Sequence, residues 1–317
     1  MNSFEAQAVT FVPFVCPMLK IAWSEIYAHP LPKNHRFPMA KYNLLPEQLL
    51  YEGTIDESNL FRPEALEEKH LLAVHDAAYW KKLQLGDLTR QEERRTGFPY
   101  SKELINREIA IMNGTLLCAL FALEHGVSMN IAGGTHHAFT NRGEGFCLLN
   151  DLAIAAQYLL NHGLAQRILV VDLDVHQGNG TAQIFEKEPR VFTLSMHGGK
   201  NYPLHKEHSD LDIPLEDGTG DKLYLSLLRK HLFETVERFA PDFILYQCGV
   251  DVLHTDKLGR LGMTLEGCKE RDAIVLRLAQ QEAIPLAAAM GGGYSERISH
   301  LIEAHANTFR LAQEIYF

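Results

Sequence analysis

Seven side chains able to bind a metal or carry a proton stand just past four apolar runs: His136 and His137, then Asp172, Asp174 and His176, then Asp251, then Tyr294. In ILVVDLDVHQGN (168–179) the polar residues alternate, so a backbone that stays extended sends 172, 174 and 176 to one side. Asp174, His176 and Asp251 supply two carboxylates and an imidazole. That leaves one position open for water or substrate, the arrangement of a catalytic zinc. Oxygen-rich coordination also accommodates Fe(II), Co(II) or Mn(II). His136 and His137 are suited to general base and general acid work near neutral pH. Tyr294, after Gly291-Gly292-Gly293, is placed to donate to an oxyanion. Asp172 is expected to accept from one histidine of the pair and fix its tautomer, with Asn179 holding the other through a neutral amide. An Asp-rich loop without a metal is the plain alternative for 172–176 alone. Four such strand ends together weigh against it, because open parallel sheets bind ligands beyond the carboxyl ends of their strands.

The elements that must hold these residues follow from periodicity. Strands are predicted at 9–15, 127–132, 168–171, 191–196, 243–247 and 284–290, where apolar runs are short and bounded by turn residues. Helices are predicted from about Pro46, near 64–72, and over 102–124, 151–160, 222–239, 265–279 and toward Ile315. Segments 29–45 and 197–221 read as loops, and DLTRQEERR (87–95) as a charged, exposed stretch. Strands alternating with helices imply parallel pairing and right-handed crossovers. The expectation is α/β: one domain over 1–317, with a central, mainly parallel sheet flanked by helices.

Composition bounds the partners. At 317 residues with 46% hydrophobic and 22% charged residues, a large core is expected. A formal charge of −10 argues against direct nucleic-acid binding, which rewards a basic surface. Five scattered cysteines without a CxxC pair fit a reducing, cytoplasmic setting. No membrane association is expected, and the N-terminus reads as an entry strand rather than a signal peptide.

GGTHHA, GFCLLNDLAIAA, DLDVHQGNGT, LSMHGG, QCGVD and GGGY follow in this order across residues 133–294. Together they resemble the histone deacetylase family on the arginase/deacetylase fold. Asn201–Asp221 and HPLPKNHRFPMAKY are more similar to its class IV branch and bacterial relatives. The resemblance implies a zinc-dependent hydrolase that removes acetyl or longer acyl groups from the ε-nitrogen of lysine in a protein or peptide. It makes Asp174, His176 and Asp251 the ligands, His137 the general base and Tyr294 the group that polarises the carbonyl. It places Gly145, Phe146, Tyr202 and Gly292 along the substrate tunnel and Arg36 near an internal channel for released acid. A structural potassium ion would bind backbone oxygens around Asp172, Asp174, His176 and Met196 and the Ser195 hydroxyl.

Two departures from the family matter. Asn179 stands where many relatives have Asp, which removes a charge behind His137. The loop 95–107 shows no counterpart of the acidic residue with which other members grip a substrate backbone, and this counts against extended histone tails. Deacetylation of small amides such as acetylpolyamines is the alternative among enzymes. A non-catalytic acyl-lysine-binding module is the alternative outside them, disfavoured because every position the chemistry needs is filled.

Overall fold

The computed structural model describes residues 17–317, so the strand expected at 9–15 lies outside the described residues. The strands are β1 (Lys20–Ala22), β2 (Leu60–Phe61), β3 (Val127–Asn130), β4 (Ile168–Asp172), β5 (Val191–Gly198), β6 (Leu211–Leu215), β7 (Phe243–Gln247) and β8 (Leu286–Ala289). They form one sheet in the order β2-β1-β3-β8-β7-β4-β5-β6, and every pairing is parallel. The helices are α1 (Lys41–Tyr51), α2 (Glu68–Leu71), α3 (Ala77–Leu85), α4 (Arg90–Thr96), α5 (Lys102–His125), α6 (Asp151–Asn161), α7 (Asn179–Phe185), α8 (Asp221–Phe239), α9 (Leu265–Gln281) and α10 (Ile298–Tyr316).

The central strands are buried from end to end, as their unbroken apolar runs require of a sheet covered on both faces. β8 is Leu-Ala-Ala-Ala, and its small side chains let α5 pack across it. Among the described residues only α5 is long and apolar enough to cross a bilayer. Here it is a core helix, packed against β1, β3, β8 and α6.

Several expectations need correction. The segment 197–221 is not all loop: β5 runs to Gly198, and β6 adds an edge strand whose exposed Pro214 and half-buried first residues hid its pattern. α1 begins at Lys41, inside the expected loop, and carries Pro46 in its interior. Pro46 cannot donate to the Tyr42 carbonyl, and Trp23 Nε1 donates to that oxygen instead at 2.8 Å. The helix expected near 64–72 is a single turn, α2. The charged stretch 87–95 leads into α4, begun by a capping box between Thr89 and Glu92.

The four strands that end in chemically capable residues are β3, β4, β7 and β8, and they are adjacent in the sheet as β3-β8-β7-β4. Residues from 136 to 294 therefore meet over one edge of its centre.

Candidate active site

β4 ends at Asp172 and the chain then bends, so alternation along an extended strand is not what gathers its polar residues. The carboxylates fold the turn themselves. Asp172 Oδ1 accepts from the Asp174 amide at 3.2 Å, and Asp174 Oδ1 from the His176 amide at 3.0 Å. Asp251, beyond β7, accepts from the Val175 amide at 2.9 Å and ties the two turns together. Asp174 Oδ2 accepts from the Gly292 amide at 3.0 Å. A side chain at Gly292 would put its Cβ 2.2 Å from Asp251 Oδ2, so the backbone's close approach there requires glycine.

The ligand atoms of Asp174, His176 and Asp251 all lie within 4.8 Å of one another, and the three residues are buried. His176 Nδ1 faces both carboxylates, at 2.9 Å from Asp174 Oδ1 and 3.2 Å from Asp251 Oδ2. Asp251 Oδ2 is buried and forms no well-aligned hydrogen bond, although the His176 ring stands 3.2 Å away. A buried carboxylate oxygen left this way is costly, and a divalent cation bound by all three residues would satisfy it. The residues therefore fit a metal. Burial raises the Asp251 carboxyl to about 7, and Asp174 adds to the effect. Burial opposes charge on His176, but the two carboxylates outweigh it and hold the imidazole up to about 10.

The histidine pair lies beside this cluster, with ring centroids 4.1 Å apart. His136 Nδ1 meets Asp172 Oδ2 at 2.7 Å, and His137 Nδ1 meets Asn179 Oδ1 at 2.6 Å, the partners expected of Asp172 and Asn179. Donation from Nδ1 to an amide oxygen leaves Nε2 of His137 with a lone pair. The environments split the pair. Burial works against charge on both rings, yet Asp172 and Asp174 hold His136 up to about 9. His137, beside His136 and His176 and with only an amide behind it, is pushed well below the usual histidine range. The surroundings thus favour charge on one histidine and a neutral ring on its neighbour. Replacing Asn179 with Asp is expected to raise the His137 pKa and move the acid limb of the kcat/KM profile up by about one unit or more. An unmoved limb would mean that His137 is not the group titrating there.

Tyr294 shares the cleft with His137, His176, Gly145, Phe146 and Tyr202, a space of about 450 Å³. Its ring packs edge-on to Phe37, with centroids 5.9 Å apart, and its amide donates to Asp256 Oδ2 at 2.6 Å. Burial, then the carboxylates of Asp251 and Asp174, pushes its hydroxyl well above the usual tyrosine range, so it stays a donor. Phe146 holds φ +66°, left-handed for a bulky residue, and its amide donates to Thr96 O at 2.7 Å. Gly145 before it has φ +51°, and a Cβ there would sit 2.7 Å from His137 Cδ2. Tyr202 stands edge-on to His137 at 5.0 Å and donates to Glu144 Oε2 at 2.8 Å. Ser195 and Met196 lie on β5, with Ser195 in register with Asp172.

Arg36 is displaced from its expected place. It is exposed in the outer cleft, with its guanidinium 5.0 Å from the Phe146 ring centroid. A smaller cavity of about 40 Å³, beside the histidine pair and Tyr294, is lined instead by Arg107, with Tyr42, Ile111 and Thr135. Reading the sequence also missed the residues that hold the site from behind. Asp151, at the start of α6, accepts from the Gly134 and Thr135 amides and the Thr115 and Thr135 hydroxyls at 2.6–3.0 Å, fixing the loop before the histidines. Buried Arg271 donates to the Leu173, Cys248 and Gly249 carbonyls, stitching together the turns that carry Asp174 and Asp251. Buried Lys41 donates to Gly291 O at 3.0 Å. An Asn-Asp pair at a helix start was the one signal available for Asp151. Arg271 sits in an ordinary helical pattern and Lys41 in a segment that reads as loop, and neither gave one.

A parallel α/β sheet whose central strand ends gather two aspartates and a histidine able to hold a metal ion, a histidine pair and a tyrosine has the site of a hydrolase. Residues 35–309 match the histone deacetylase domain, and the chain belongs to that family. It is 44% identical to an uncharacterised protein of Picosynechococcus over 92% of this chain and 97% of that one. It is 29% identical to histone deacetylase 2 of Arabidopsis thaliana over 85% of this chain and 72% of that one. For human histone deacetylase 1 the identity is 28%, over 85% of this chain and only 58% of the human one. The fold superposes on a histone deacetylase homologue from Aquifex aeolicus with a TM-score of 0.79 at 26% identity, covering 93% and 84% of the two chains. The arginase/deacetylase fold expected from the motifs is the fold observed.

Proposed function

We propose that this protein hydrolyses the amide between an acetyl or longer acyl group and the ε-nitrogen of lysine in a protein or peptide, with Zn²⁺ as its resident ion. The observation that carries this reading is the convergence of the buried Asp174–His176–Asp251 cluster with the His136–His137 pair and Tyr294 around one cavity. Asp174, His176 and Asp251 would hold the ion, which when bound supplies Lewis-acid polarisation of the amide carbonyl and acidifies water. His137 Nε2 takes the proton from the attacking water. Tyr294 donates to the oxygen that gains charge in the tetrahedral transition state. His136, kept cationic by Asp172, holds positive charge beside that oxyanion and a proton for the leaving amine. Phe146 and Tyr202 wall the passage, so the lysine methylenes lie against rings rather than water. The Asp172–His176 turn and Ser195 would also hold a structural potassium ion, and the setting would be the cytoplasm.

The test is a series of acyl-lysine peptides on one sequence, from acetyl to myristoyl, with acetylspermidine alongside and each assayed with and without added zinc. Release of acid from the peptides only with metal is the expected result. Turnover of acetylspermidine in preference to every peptide would replace lysine with a small amide as the substrate. Zinc binding makes a separate prediction. Because the carboxylates hold a proton on His176 and burial holds part of another on Asp251, loading at neutral pH should release at least one proton per ion. Titration calorimetry in buffers of different ionisation enthalpy reads this directly, and a heat independent of buffer would contradict it.

A further inference from the structure

The protein carries a formal charge of −10, yet the mouth of the cleft carries the opposite sign. Arg36, Arg94, Arg95, Lys200 and Arg260 line it, and among the described residues no Asp or Glu does. All five are exposed. Lys200 and Arg260 have partial partners, 3.4 Å from Glu216 and 3.7 Å from Asp217. No carboxylate among the described residues lies within salt-bridge distance of Arg36, Arg94 or Arg95. The acids that could have neutralised α4 are engaged elsewhere. Glu92 pairs with Lys82 at 2.7 Å, and Glu93 accepts from the Tyr100 amide at 3.2 Å. Glu144, the nearest acid to the wall, is taken by Tyr202 and Arg142.

This rim is built into the passage. The last turn of α4, which bears Arg94 and Arg95, is bonded through backbone to the tunnel wall: Gly145 donates to Arg95 O at 3.0 Å and Phe146 to Thr96 O at 2.7 Å. The Arg36 guanidinium lies over the Phe146 ring. Three guanidiniums without a carboxylate partner thus stand around the point where a lysine side chain would enter, Arg94 also donating through Nε to the Arg90 carbonyl at 3.1 Å. Whatever flanks that lysine must lie against them.

Building on the deacylase reading above, we propose that the rim selects acyl-lysines flanked by aspartate or glutamate. The partner is an acidic peptide segment, its carboxylates taken by Arg94, Arg95 and Arg36 while the acylated side chain passes Phe146 and Tyr202. Guanidiniums match carboxylates in bidentate geometry, which gives the rim specificity as well as attraction. Local field and not net charge governs approach to a cleft. The same rim repels lysine-rich tails and polycationic amides.

The experiment uses three acetyl-lysine peptides of one length with acidic, neutral or basic residues on both sides, assayed on the zinc-loaded full chain. An acidic-over-basic preference of about tenfold or more in kcat/KM is expected, carried by KM and shrinking as salt rises. R94E/R95E should reverse it, raising KM for the acidic peptide and lowering it for the basic one. Fluorescence anisotropy with the same peptides and the Tyr294→Phe protein reads the rim independently of turnover, with a single-stranded oligonucleotide as a further arm. If no peptide is hydrolysed, the deacylase reading fails and the binding series still decides the rim. Equal affinity for the three peptides, a preference untouched by R94E/R95E, or tighter binding of the oligonucleotide would each overturn the proposal.

Discussion

Tyr294→Phe is expected to lower kcat by about 10²–10³-fold, the loss that follows removal of one preorganised oxyanion donor. The substitution deletes a single oxygen. The ring keeps its packing on Phe37 and Phe146, and the amide keeps its bond to Asp256, so fold and cleft persist. KM should change little, because the hydroxyl acts on charge that develops only in the transition state. Its raised pKa means that the wild-type donor does not titrate across the working range, so the variant should lose rate equally at acid and neutral pH. Steady-state kinetics with circular dichroism as a folding control checks this. Near wild-type kcat in a folded Tyr294→Phe protein would remove Tyr294 from the chemistry.

Asp151→Ala should destabilise the protein by about 3–5 kcal/mol, the cost of stripping the acceptor from several buried donors at once. Its two oxygens take two amides and two hydroxyls, and Ala offers none of these groups a partner. The loop 133–135 carries two glycines at positive φ, Gly133 and Gly134, and leans on this carboxylate for its shape. Denaturant unfolding should show a lower midpoint, and whatever folded protein remains should have a disordered histidine pair and low activity. An unchanged midpoint would show that the loop holds itself.

The cluster Asp174–His176–Asp251 was legible in the sequence because strand ends in a parallel sheet must converge, and four of them carried functional groups. The partners of the two histidines were legible for the same reason, since few polar residues stand close enough to serve. What the sequence hid has physical causes. The gathering of 172, 174 and 176 comes from carboxylates bonding amides two residues on, a turn geometry that alternation only mimics. Asp151 and Lys41 act from the first turns of helices and Arg271 from the middle of one, where a charged residue looks like surface until tertiary packing buries it. Phe37 and Phe98 join Phe146 in one aromatic wall, with centroids 5.2–5.3 Å apart, although they come from separate loops with no shared periodicity. Arg36 went to the mouth because Phe146 offered its guanidinium a ring face there.

β8 comes last of the strands in the chain but sits near the middle of the sheet, paired to β3 on one side and β7 on the other. Without it the sheet falls into two halves, β2-β1-β3 and β7-β4-β5-β6, which no other pairing joins. The histidine pair belongs to the first half and the metal cluster to the second. During synthesis the two halves of the chemistry therefore stay apart until the ribosome has released residue 289, and Tyr294 follows within a few residues of that closing strand. A chain made only as far as β7 holds the ligand cluster and the histidine pair on separate halves, and gains the strand that joins them and Tyr294 in one late step.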